Sequence, residues 1–371
     1  MPYGQVNADL MVDSSGGRFS PISSVFRNRI INGNMVIDQR NAGASVTPTA
    51  TGYGLDRWVY AVSQSSKFSF QQNAGSVTPP AGYINYLGAT SLSAYSITST
   101  DFFLIRQAIE GLNIADLGWG TANAKTVTLS AWVYSSLTGT FGGYLSNSAE
   151  NRSYPFTYTI SVANTWTQIS VTIAGDTSGT WLTTNGVGIR AAFSLGVGTT
   201  YSGTAGAWAG SLYLSATGAT SVVGTSGATF YITGVQLEVG SSATGFEYVD
   251  YGTQLAMCQR YLPAFRYNGA AGIIPVLTQF NSTTTSRGYI TFPVPTRANV
   301  TGATVSSASH FVLQFYAGGS GTPNTISLHQ GGTSGAGIDV NFASGASTDK
   351  STGVLQIDNS AGYIYFNGAE L

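Results

Sequence analysis

The chain has 371 residues, enough for two or three β-domains, and only 15 basic and 16 acidic side chains. At 8% charged, against about 25% in an ordinary globular protein, with a net charge of −1, it has no basic field for nucleic acid and no polybasic strip for an anionic membrane. With 21 Tyr, 18 Phe and 6 Trp it is too aromatic for a disordered tail.

The 47 glycines supply turns, and Ser and Thr replace charge as the polar groups. A single cysteine, Cys258, excludes an intramolecular disulfide framework and a Cys-based zinc cluster. The opening MPYGQVNADL lacks the basic start and apolar run of a signal peptide. No apolar run reaches the length of a membrane span, so no membrane insertion is expected.

In chain order, residues 1–27 show little periodicity and read as a docking arm. Short alternating runs follow, split by Gly, Asn, Ser and Pro. Leu55 to Val62 and Lys67 to Gln72 read as neighbouring strands, and Asp101 to Ile109 as another. In Lys125 to Tyr134 the residues Val127, Leu129, Ala131 and Val133 share one face. Trp166 to Ile173, Val187 to Leu195 and Ala228 to Val239 complete a two-sheet sandwich over 28–249.

A short helical linker is expected over 250–265. Thr253 is placed to cap Gln254 to Leu262, Leu255, Cys258 and Leu262 fall on one side, and Pro263 ends the run. Strands return over 266–371 at Ile273 to Phe280, Gly288 to Val294, Phe311 to Tyr316, Val354 to Ile357 and Tyr363 to Phe366. They make a second, smaller β-sandwich. The fold class is therefore all-β.

Asn28 to Gly43 (NRIINGNMVIDQRNAG), with Leu55-Asp56-Arg57-Trp58, resembles the opening of a module in bacteriophage tail fibre and virion structural proteins. Gln107 to Gly120, Thr126 to Gly143, Asn164 to Ile173, Phe230 to Gly240 and Ala243 to Tyr261 extend the resemblance over about 28–262. The chain departs from that pattern in having Gly245 for a usual Pro, and Tyr248-Val249-Asp250 for a basic-proline pair. Trp166-Thr167 opening a late strand and Tyr231 to Leu237 closing the sandwich also resemble the carbohydrate-binding jelly rolls found beside glycoside hydrolases.

These resemblances imply a jelly-roll β-sandwich and a homotrimeric fibre subunit of the virion, made in the host cytoplasm. They imply a tail bound through the N-terminal arm, a host surface polysaccharide bound without catalysis, and a 266–371 domain that faces the receptor. The Leu255, Cys258 and Leu262 stripe would then line the three-fold axis. A purely structural spacer, collar or decoration protein is the alternative, and a polysaccharide depolymerase a third reading.

Enzyme signatures are missing: no Gly-x-Ser-x-Gly elbow, no P-loop, no His-Glu-x-x-His. His310 and His329 have no neighbouring carboxylate or thiol in sequence and read as surface residues, so no metal or cofactor is expected. A depolymerase would need paired carboxylates, for which Asp101 with Glu110, or Glu238 with Glu247 and Asp250, are the candidates. Trp58, Trp132 and Trp166 are expected in the core. Trp119, Trp181 and Trp208 lie in Gly/Ser/Thr-rich connections, where exposure would call for a glycan or a subunit to cover them. Tyr201 and Tyr154 are their companions. Arg27, Arg29, Arg40 and Arg57, with Asp38 and Asp56 nearby, suit bidentate pairing within the chain or between chains.

Overall fold

The computed structural model describes residues 27–267, 272–316, 318–344 and 351–371, and of 272–275 the backbone alone. The docking arm expected over 1–27 lies outside the described residues except for Arg27.

The first ten strands are β1 (Gly52–Leu55), β2 (Trp58–Val62), β3 (Phe68–Gln72), β4 (Leu87–Ser91), β5 (Phe102–Glu110), β6 (Val127–Ser135), β7 (Gly139–Ser146), β8 (Ser153–Ile160), β9 (Thr167–Ile173) and β10 (Val187–Val197). Two short strands, β11 (Ser202–Gly203) and β12 (Ser215–Ala216), precede the long β13 (Thr229–Val239). They form a six-stranded sheet ordered β1-β2-β5-β10-β7-β8 and a five-stranded sheet ordered β3-β4-β13-β6-β9. The two sheets close on one apolar core that includes Trp58, Phe68, Phe103, Phe141, Phe156, Phe193 and Phe230. Val127, Leu129, Ala131 and Val133 all point into it, as their alternation predicts.

Two expectations need correction here. Leu55 to Val62 is not one strand: the chain turns at Asp56-Arg57, with Arg57 at φ 70°, and β1 pairs back on β2. Nor is β3 a neighbour of β2, because the chain crosses to the opposite sheet between them. Both follow from burial, since Trp58 and Phe68 fill the same core from facing sheets.

In β13 the register shifts between Thr233 and Gln236 at Gly234, φ 61°, where a Cβ would lie 2.5 Å from the Tyr83 hydroxyl. The stretch after Asn28 docks beside this bulge: Arg29 N donates to Leu237 O and Val235 N to Gly33 O, both at 2.9 Å. On the far side, Tyr201, Leu212 and Leu214 of the strap between β10 and β13 cover the outer face of the six-stranded sheet.

Helix α1 (Tyr251–Gln259) is capped by Asp250, whose Oδ1 accepts from Thr253 N at 3.0 Å, so Asp250 and not Thr253 is the cap. Beyond it come β14 (Ala264–Arg266), β15 (Gly272–Phe280), β16 (Thr285–Thr291), β17 (Gly302–Val305), β18 (Phe311–Phe315) and β19 (Ser320–Gly321). The last four are β20 (Thr325–Gly331), β21 (Gly335–Asn341), β22 (Thr352–Ile357) and β23 (Tyr363–Asn367). A seven-stranded sheet ordered β19-β18-β22-β15-β16-β21-β20 faces a small sheet ordered β14-β23-β17 across a second core. The whole is all-β: a larger sandwich, a short helix and a smaller sandwich.

Candidate functional site

The expected aromatic surface is largely inside. Trp119 and Trp181 keep 6% and 7% of their surface, and Tyr154 keeps 8%. Trp208 is half-buried and closes the group, its ring 5.4 Å from Trp119, 5.3 Å from Trp181 and 5.2 Å from Tyr154, each edge to face. All three indole N–H groups are satisfied by backbone: Trp119 by Lys125 O, Trp181 by Ser178 O and Trp208 by Ala174 O. The connections that looked open fold onto each other and bury their own tryptophans. Tyr201 lies in the strap, its ring 6.0 Å from Phe102.

The α1 stripe is also occupied. Cys258 packs with Ile31, Ile37 and Tyr261, with Leu255 half-buried beside them, and Leu262 is fully buried. This chain's own opening segment therefore packs on Cys258 and Leu255, two of the three residues expected to line a three-fold axis. Trp58 is in the core, whereas Trp132 and Trp166 are half-buried on the outer face of the five-stranded sheet. There Trp166 donates to Thr78 O, and the Tyr134 and Tyr231 rings stack at 5.3 Å.

The arginines pair within the chain, though not with the partners expected. Arg27 faces Glu247, Arg29 faces Asp116, and Arg40 and Arg57 share Glu370. Asp38 instead accepts from the Asn41 and Gly43 amides, and Asp56 from Gln39. The paired carboxylates are likewise engaged. Glu110 accepts from Arg260 and Tyr261, Glu238 from Thr244 and Gln236, Glu247 from the Asn28 amide, and Asp250 caps the helix.

An open, chemically mixed surface lies in the second sandwich. Along β15 and β16 alternate side chains fill the core, leaving Leu277, Gln279, Arg287 and Tyr289 on the outer face. Register then arranges two rows across the strands. Thr352 pairs with Gln279, Gln279 with Arg287, Arg287 with Asp339 and Asp339 with Ser327, which makes a polar row. Two residues along, Val354 pairs with Leu277 and Tyr289 with Gly337, which makes an apolar row.

Thr352, Gln279, Arg287, Leu277, Tyr289 and Gly337 of these rows line a trough of about 1020 Å³ that extends from Tyr316 to His329 and Gln330. Leu277, Tyr289 and Tyr316 are 65%, 58% and 68% exposed, unusually high for apolar side chains gathered in one place. Gly335 lets the Tyr289 ring lie close to the sheet, since a Cβ there would sit 2.4 Å from its hydroxyl. Within the polar row Arg287 Nε donates to Asp339 Oδ1 at 2.7 Å, and His329 Nδ1 lies 3.4 Å from Oδ2. The Arg287 and Asp339 charges cancel.

Sequence reading missed this site because β20 and β21 were not recognised. Gly331, Gly332, Gly335 and Gly337 break the alternation that marks a strand. The usable signal was Ile338-Asp339-Val340 opposite Arg287.

No family profile and no curated protein sequence matches the chain. Among solved structures it is similar to the enzymatically active domain of tailspike protein 4 of bacteriophage CBA120, at 10% identity and TM-score 0.31, over 58% of this chain. That likeness spans only 22% of the tailspike chain. It is similar also to the N-terminal cellulose-binding domain of Cellulomonas fimi β-1,4-glucanase C, at 13% identity and TM-score 0.24, over 54% of this chain and 91% of that one. A third is the Clostridium thermocellum xylanase 10B structure with xylohexaose, at 14% identity and TM-score 0.27, over 59% of this chain and 31% of that one. At such values these neighbours assign neither a family nor a ligand to the chain.

Proposed function

We propose that the chain is a phage tail fibre subunit that attaches the particle to a host cell-surface glycan by non-catalytic carbohydrate binding. The trough of the second sandwich is its contact. One observation carries the reading: exposed Tyr289, Tyr316 and Leu277 stand beside a charge-balanced row of Gln279, Arg287 and Asp339. A sugar offers the same two chemistries, a CH-rich face for the rings and hydroxyls for the Gln279 amide and Arg287 guanidinium.

The absence of catalysis is part of the proposal. It is supported by the structural engagement of Glu110, Glu238, Glu247 and Asp250. In the same reading residues 1–27 hold other virion tail proteins, and the subunit is homotrimeric through a surface other than the α1 stripe.

The test is adsorption of labelled full-length chain to host cells, competed with free envelope polysaccharide. Saturable binding that Tyr289→Ala abolishes is the expected result. Binding that Tyr289→Ala leaves unchanged sinks the assignment to the trough. No binding at all favours the structural spacer.

A further inference from the structure

Resting on that glycan reading, we infer that the trough takes an internal stretch of an extended, neutral polysaccharide laid across the strands, rather than a chain end or a single sugar. The first ground is span. The lining runs from Tyr316, just past β18, to His329 on β20, and these strands are five spacings apart in the sheet order. At about 4.8 Å per strand spacing that is roughly 24 Å, and a pyranose in an extended chain is about as long as one spacing. About five sugars then lie one per strand spacing.

The second ground is the direction of the rows. Both the polar and the apolar row run across the strands, because register and not sequence sets them. A chain lying along them keeps its CH faces over Leu277 and Tyr289 and its hydroxyl edge toward Gln279 and Arg287 where it crosses β15 and β16. A chain crossing the rows would meet alternating chemistry. The third ground is the boundary: β20 is the edge strand of its sheet, so the trough meets the sheet rim there. The fourth is charge. Arg287 and Asp339 cancel, so a neutral ligand leaves no uncompensated ion in the site.

The experiment is affinity electrophoresis of the full chain through gels containing dextran, galactomannan or polysaccharide released from bacterial envelopes. Calorimetric titration follows, with oligosaccharides of increasing length cut from the polymer that retards it. Affinity should climb several-fold with each added sugar and level off near about five units, one per strand spacing. Tyr316→Ala, at a side chain 68% exposed, should shorten that plateau by one or two units. A melting curve checks that the variant is folded.

A disaccharide that binds as tightly as the polymer, or binding lost when chain ends are chemically blocked, overturns the internal-chain inference and leaves glycan attachment standing. Retardation by none of the polymers overturns both.

Discussion

Arg57, in the turn between the first two strands, donates to Glu370 across 313 positions of chain, Nη1 to Oε2 at 2.5 Å. Arg40 donates to the other oxygen of the same carboxylate at 2.8 Å, and the Arg57 guanidinium lies 3.5 Å from the Tyr261 ring centroid. Both arginines are nearly excluded from water, so the carboxylate is their main compensation. Glu370→Gln should cost about 3–5 kcal/mol, the size expected when one partner of a buried ion pair is removed. Urea unfolding should then move to a lower midpoint, because the pair joins the two sandwiches. An unchanged midpoint would contradict the clamp.

Stability should be greatest near about pH 4 and fall on either side. Burial pushes the Asp56 carboxyl up to about 7, against the two Gln39 donors that oppose the shift. The folded state therefore holds a proton that the unfolded chain, near about 3.9, has released. That contribution is complete below the unfolded value and is lost as pH rises through about 7. Asp101 and Glu110 act in the opposite sense. Burial works against their charge, but Thr98, Tyr95 and Ser63 outweigh it at Asp101, and Arg260 and Tyr261 at Glu110, so both are held low. Their contribution is present above the unfolded values and lost as pH falls below them. Melting temperature followed from pH 3 to pH 8 should show both limbs, and Asp56→Asn should flatten only the upper one.

Trp119→Ala should lower stability by about 3–5 kcal/mol, as for other buried aromatic truncations. Adsorption to cells per folded molecule should not change, because the ring is enclosed by Trp181 and Trp208. Loss of adsorption at full stability would return the tryptophans to the binding surface.

Gly337→Leu places a side chain on the trough floor. The nearest neighbour of a Cβ there is His329 Cδ2 at 3.6 Å, so the backbone need not move. Retardation by the bound polysaccharide should fall about tenfold or more, ~1.4 kcal/mol, with the melting temperature preserved. Unchanged retardation would place the ligand elsewhere.

Leu262→Ala should cost about 2–5 kcal/mol and leave the sedimenting mass unchanged, since Leu262 is wholly enclosed by its own chain. A drop in mass at constant stability would restore the stripe to an axis.

The sandwich class and most strands of the first domain were legible because alternation there is dense. Val127 to Val133 place four apolar residues on one face without interruption. Pairing across the chain was not legible. Arg40 and Arg57 looked toward Asp38 and Asp56 in sequence, but their partner is Glu370, over three hundred residues away, and only the closed fold brings it near. The tryptophan group misled for a similar reason. A Gly/Ser/Thr-rich loop reads as open surface, yet three such loops covering one another make a small core of their own. The trough stayed hidden because its rows run perpendicular to the chain.

The second sandwich is stitched to the first at several points besides α1. Arg266 donates to Gln39 O at 2.6 Å and also to Arg40 O. Arg297 donates to Asn185 O at 2.9 Å, and Asn185 Nδ2 donates back to Arg297 O at 3.3 Å. A pull on a ligand seated in the trough is therefore met by many bonds loaded together across a broad seam, not by a single peptide joint loaded in line. Such a seam yields only when several bonds fail at once, and it passes tension into the first sandwich with little play. In the fibre subunit proposed above, that stiffness matters as much as the affinity of the contact.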